Sequence, residues 1–173
     1  MNRSFLRVLV FSLVFLWVLW GFVSAPRAQL TDERYLIPLV DIDLPGWEKK
    51  KGFPNIEKGT EADKGWVETQ MAYERAGSSL TAVITEGGEL SKDLATIGAL
   101  PEYNNQDGYR KKINIKGFSG VEIYDKSQKK GTVVLNIANR FGLKVEGVKI
   151  EDNAVLKEFI NKMALHKLWR MAQ

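Results

Sequence analysis

The chain's only histidine, His166, is the first residue to test for chemistry, because an imidazole can serve as a general base or a pH switch. It lies beside Lys167 in a C-terminal helical stretch, and no serine or cysteine nucleophile can be placed next to it. It therefore reads as a surface residue near a helix C-terminus, where a cation is favoured. Asp41 and Asp43 are two apart, so an extended chain presents both carboxylates on one side. A calcium loop needs further oxygen ligands at fixed spacing and none follow, which leaves the two as solvated residues. Gly87 and Gly88 precede a short helical stretch whose free N–H groups would suit an anion. Glu86 and Glu89 flank them and repel phosphate, so the pair reads as a strand-to-helix turn.

The stretch Tyr103-Asn104-Asn105-Gln106-Asp107-Gly108-Tyr109 is different. It is a polar loop bounded by aromatics, suited to hydrogen bonding with a polar ligand or a partner, and equally to plain solvation. Tyr103, Asn104, Asn105, Gln106, Asp107 and Tyr109 form the candidate partner-binding loop. Trp47, Trp66, Phe118, Tyr124, Phe141 and Phe159 would either line a ligand or build a core. Aromatics interleaved with sheet residues favour the core. The chain has no cysteine, which excludes a disulfide framework, a thiolate metal site, a catalytic thiol and a bacterial lipoprotein, which needs a cysteine to acylate. No catalytic residue, metal site or cofactor is expected, and the chain does not read as an enzyme.

Such residues need elements to position them, and the first segment sets the compartment. Arg3 and Arg7 precede a charge-free run from Val8 to Val23, dense in valine, leucine, phenylalanine and tryptophan. Small residues follow, Ser24 and Ala25 and then Ala28, as in a signal-peptide cleavage region. Pro26 spoils either cleavage position, so a retained membrane anchor spanning residues 8–23 is the alternative, with Trp17 and Trp20 at the headgroup level. The expectation is a periplasmic or secreted domain, or one held at the inner membrane by this segment. Three of the 25 basic residues, Arg3, Arg7 and Arg27, lie there, leaving 22 against 21 acidic ones. A near-neutral folded part excludes a basic nucleic-acid footprint.

Residues 1–28 are thus a signal peptide or anchor, 29–64 an extended lead-in punctuated by Pro38, Pro45 and Pro54, and 65–173 an α+β domain. Trp47 is expected to tuck against that domain. Period-two alternation predicts a hairpin from Trp66–Arg75 and Leu80–Thr85, then strands over Tyr109–Ile115, Val121–Tyr124, Thr132–Ala138 and Phe141–Glu146. Leu90, Leu94 and Ile97 mark a short middle helix over 89–99, and Val155, Leu156, Phe159, Ile160 and Met163 form the stripe of a C-terminal helix. Residues from His166 to Arg170 extend that helix or add a short second one. The expected fold is α+β: a mainly antiparallel sheet of about six strands, with helices packed on one face.

The hairpin from Trp66 to Thr85, the run Ile115-Lys116-Gly117-Phe118-Ser119-Gly120-Val121-Glu122-Ile123-Tyr124, the Asn139-Arg140-Phe141 lead into a strand and the amphipathic terminal helix come in a characteristic order. Over Trp47 to Leu168 this order resembles the Mog1/PsbP-like fold of exported bacterial proteins, including periplasmic lipoproteins of the DcrB type. The chain departs from those lipoproteins in lacking the lipidated cysteine. The resemblance implies a binding or assembly role by analogy. The expected partner is an envelope protein or another envelope component, the alternative being a small ligand carried on the sheet face.

Overall fold

Period-two alternation of apolar side chains decides the architecture. The computed structural model describes residues 30–61, 64–87 and 96–173. It contains one antiparallel sheet of β1 (Glu48–Lys49), β2 (Asn55–Glu61), β3 (Lys64–Arg75), β4 (Ser78–Gly87), β5 (Tyr103–Asn104), β6 (Gly108–Ile115), β7 (Phe118–Asp125), β8 (Lys130–Ile137) and β9 (Phe141–Val148). The order is β1-β3-β4-β9-β8-β7-β6-β5, with β2 also paired to β3. All six expected strands are present as β3, β4 and β6 to β9.

The sheet has nine strands rather than six. β1 and β5 are two residues each, too short to show a period. β2 carries a single aliphatic residue, Ile56, and forms because β3 is long enough to template it from Lys64 to Gln70. Where 29–64 is expected to run extended, α1 (Glu33–Val40) is a helix despite Pro38 inside it. The lost backbone bond is offset by an Asp32 cap accepting from the Arg34 N–H and by burial of Leu36, Leu39 and Val40. Of the expected middle helix, residues 96–99 are helical, and residues 89–95 lie outside the described residues. The run from Val8 to Val23 does so too; among the described residues no helix is long and apolar enough to cross a membrane.

Three helices, α1, α2 (Ala154–Lys162) and α3 (Leu165–Met171), contribute to one apolar core. The second short helix allowed for after His166 is therefore α3. Trp47 is buried in the same core. Register explains how α2 seats. On the helix face, Tyr73, Leu80, Gly147, Gly131, Tyr124 and Tyr109 form one row across six strands. Its two central glycines leave a hollow. A β-carbon at Gly147 would lie 2.6 Å from Ile150, and one at Gly131 would lie 1.7 Å from Asn153 Oδ1. The residues leading into α2 fill that hollow, and Asp152, one residue before the Asn153 N-cap, accepts from the Ala154 N–H at 2.7 Å.

Tyr73, at the end of the row, fixes α1. Its hydroxyl donates to the Val40 carbonyl at 2.5 Å and accepts from the Ile42 N–H at 3.0 Å. Its ring meets Phe159 of α2 edge-on at 5.3 Å. One tyrosine thereby locks two helices to β3.

Candidate functional site

The candidate loop is a folded hairpin. Tyr103 and Asn104 pair with Arg110 and Tyr109 as β5 against β6. Asn105 closes the turn: its Oδ1 accepts from the N–H groups of Asp107 and Gly108, while its own N–H donates to the Gly108 carbonyl. Lys126 donates to the Asn105 carbonyl from its ammonium and to the Asp107 carbonyl from its backbone. Gln106 and Asp107 are exposed. The two bounding aromatics go to opposite sides of the sheet. Tyr103 faces away from the helices, with the Arg110 guanidinium 5.3 Å from its ring. Tyr109 points to the helix side.

There it enters a charge cluster that sequence reading missed. Glu122, in the middle of β7, is 1% exposed. Tyr109 Oη donates to its Oε1 at 2.6 Å, Lys157 of α2 approaches the same oxygen at 3.4 Å, and Lys111 approaches Oε2 at 3.3 Å. Burial pushes the carboxyl up, but the Tyr109 hydroxyl and the two ammonium groups outweigh it and hold Glu122 below its ordinary value. Burial, then the hydrogen bond to Glu122 and its charge, push Tyr109 well above the ordinary tyrosine value. In this cluster the tyrosine is the donor and the glutamate the acceptor.

The one legible signal was a lone glutamate inside the apolar run Val121-Glu122-Ile123-Tyr124. Alternation suggests that Val121 and Ile123 face the core. The structure instead turns Glu122 and Tyr124 to the helices, because Tyr124 must reach Ile150 and Glu151, whose carbonyls accept from its hydroxyl at 2.9 and 2.6 Å.

A second buried carboxylate, with Arg140, joins the segment around Thr31 to the end of α3. Glu86 accepts from the Thr31 N–H at 2.8 Å and from Arg140 Nε at 2.7 Å. Arg140 Nη1 donates to the Met171 carbonyl at 2.6 Å, and Nη2 lies 3.4 Å from Thr31 Oγ1. Thus the segment leading in from residue 30, the end of β4, the β8–β9 turn and the end of α3 share one guanidinium.

The remaining candidates take quieter places. His166 is exposed on α3. Asp41 and Asp43 do converge, on the Lys49 ammonium at 2.6 and 3.2 Å. Gly87 ends β4 at φ +79°, where a β-carbon would lie 2.3 Å from the Gly65 carbonyl; Gly88 lies outside the described residues. Trp47, Tyr124, Phe141 and Phe159 are buried, and Phe118 packs against the core. Trp66 lies across from Gly59, its indole filling the space a β-carbon there would need. Among the described residues no group of three or more histidine, cysteine or acidic side chains is placed to hold a metal.

The sheet face opposite the helices presents two continuous rows. Ala72, Thr81, Glu146, Thr132, Ile123, Arg110 and Tyr103 form one. Gln70, Val83, Lys144, Val134, Val121 and Lys112 form the other. Glu146 takes Lys130 at 3.2 Å and Lys144 at 3.3 Å. Burial pushes its carboxyl up, and these two lysines more than reverse the shift, holding it below its ordinary value.

Compared with known proteins, the chain matches no family model, no curated protein and no solved structure.

Proposed function

We propose that this chain is an exported, non-enzymatic domain that binds a partner protein of the cell envelope through the sheet face opposite its helices. The composition of that face carries the reading. On it stand the partly exposed β-branched side chains of Thr81, Val83, Ile123 and Thr132, stiff groups that lose little rotamer freedom on contact, while Val121 and Val134 beside them are buried, 6% and 7% exposed. Among them, on the central strand β9, Lys144 and Glu146 carry the Lys130–Glu146–Lys144 network, and at the far edge Arg110 stands against Tyr103. Stiff apolar groups interleaved with a charged, hydrogen-bonding network offer a partner both contact area and a fixed orientation. Tyr103 joins the candidate loop to this face. Tyr109 does not belong to this surface; its work is in the Glu122 cluster.

The likeness in strand and helix order to the Mog1/PsbP-like fold adds a binding or assembly role by analogy. Export rests on the run from Val8 to Val23.

The test is site-specific photo-crosslinking in intact cells, with the crosslinker at Thr132 or Tyr103 on this face and at Glu158 on the helix side. The expected result is a discrete protein adduct from Thr132 and Tyr103 and none from Glu158. The same adducts from both sides, or none from either, would overturn the reading. Thermal stabilisation by a small-molecule extract without any protein adduct would turn it into that of a ligand carrier.

A further inference from the structure

The two most exposed large apolar side chains among the described residues are Tyr35, 65% exposed, and Trp169, 47% exposed. Both are near in sequence to residues held by the Arg140 guanidinium. Tyr35 follows Thr31 by four residues, on the outer side of α1. Trp169 precedes Met171 by two, and the Met171 carbonyl is held by the same Arg140 that reaches Thr31.

That guanidinium, with Glu86 on the Thr31 N–H, fixes where the segment leaves the domain. Only residues 24–30 separate Thr31 from the end of the run at Val23, a reach of about 25 Å at full extension. Charge points the same way. α3 carries exposed Lys167 and Arg170 and no acidic residue, and Arg27 lies in the connecting stretch. Among the described residues, the acidic side chains near Thr31 are paired: Asp32 with Arg34 at 2.6 Å, Glu33 with Lys58 at 2.5 Å and Glu86 with Arg140 at 2.7 Å.

We propose that this corner docks on an anionic phospholipid surface, with Trp169 and Tyr35 at headgroup depth and Lys167 and Arg170 on the lipid phosphates. Tryptophan and tyrosine favour that layer, and basic side chains near an anionic leaflet each add attraction. The docking rests on the reading that residues 8–23 remain in the bilayer as an anchor. It sets the domain's orientation: the turn between β7 and β8, at the other end of the strands, points away from the lipid.

The chain has no cysteine, so single cysteines take a fluorophore selectively. The full chain is reconstituted into phosphatidylcholine vesicles with or without phosphatidylglycerol, labelled at Gln173→Cys beside α3 or at Gln128→Cys in the distal turn. Acrylamide quenching is expected to fall roughly threefold or more at position 173 when phosphatidylglycerol is present, and to stay unchanged at 128. Trp169→Ala, or Lys167→Glu with Arg170→Glu, exposed sites whose change leaves the core intact, should restore quenching at 173. Equal quenching at 173 and 128 in a chain that co-floats with anionic vesicles would overturn the docking and leave the anchor standing. A chain that fails to co-float with either vesicle would overturn both.

Discussion

The Tyr109 hydroxyl donates to the buried Glu122 carboxylate at 2.6 Å along a diagonal of the β6–β7 pair, whose direct partners are Tyr109 with Tyr124 and Lys111 with Glu122. This diagonal reach is what allows a charge to sit inside the sheet's helix-covered face. A carboxylate so placed is stabilised only as long as its donors remain.

Removing the donor exposes the cost. Tyr109→Phe should destabilise the fold by about 1–3 kcal/mol at neutral pH, read by urea denaturation. Its pH dependence is the sharper check. Because Glu122 is held below its ordinary value in the folded chain, its contribution is complete above the ordinary carboxylate range and lost as pH falls through the lowered value. Without the Tyr109 donor, burial acts with less opposition, so acid destabilisation should begin at higher pH than in the parent chain. An unchanged acid limb would show that the two lysines alone hold the charge.

Gly131 and Gly147 form the hollow under the start of α2 but should not be equally tolerant. At Gly131 a β-carbon meets Asn153 Oδ1 at 1.7 Å, and Asn153 is itself buried and bonded to the Ile123 carbonyl. At Gly147 it meets the flexible end of Ile150 at 2.6 Å. Gly131→Ala should therefore cost about 3 kcal/mol and Gly147→Ala about half that, measured by thermal unfolding. Reversal of the order would mean that Asn153 moves freely.

Arg140→Ala leaves Glu86 buried without its cation and removes the guanidinium shared by Thr31 and Met171. The expected loss is about 3 kcal/mol, with faster tryptic cleavage at Arg34 as the segment around Thr31 loosens. Adding Glu86→Leu should recover part of the loss, since the uncompensated charge is then gone. If cleavage at Arg34 does not accelerate, the lead-in is held by α1 alone.

Tyr73→Phe keeps the ring against Phe159 and deletes only the hydroxyl shared by Val40 and Ile42. A loss of about 1–2 kcal/mol is expected. Burial holds this hydroxyl above the ordinary tyrosine value. Its contribution is thus complete below about pH 10, the unfolded value, and lost as pH rises through the folded one; the variant should lack that alkaline loss. Calorimetry at pH 7 and pH 10.5 distinguishes the two.

What the sequence by itself determined is the repetitive part of this molecule: six strands from period-two alternation and the C-terminal helix from its apolar stripe. Ala76-Gly77 and Lys116-Gly117 both adopt positive φ, as two-residue hairpins require. These are local properties, set by neighbouring residues and so readable from them. The three further strands and α1 were decided by tertiary contact. β2 exists because β3 offers a free edge, and α1 tolerates Pro38 because its buried face gains more than one lost bond costs. The site shows the same division. The sequence marked the polar loop from Tyr103 to Tyr109, but only sheet pairing sends its two tyrosines to opposite faces. Glu122, Lys111 and Lys157 are far apart in the chain, and nothing local announces that a turn of β7 and the seating of α2 in a glycine hollow will bring them together.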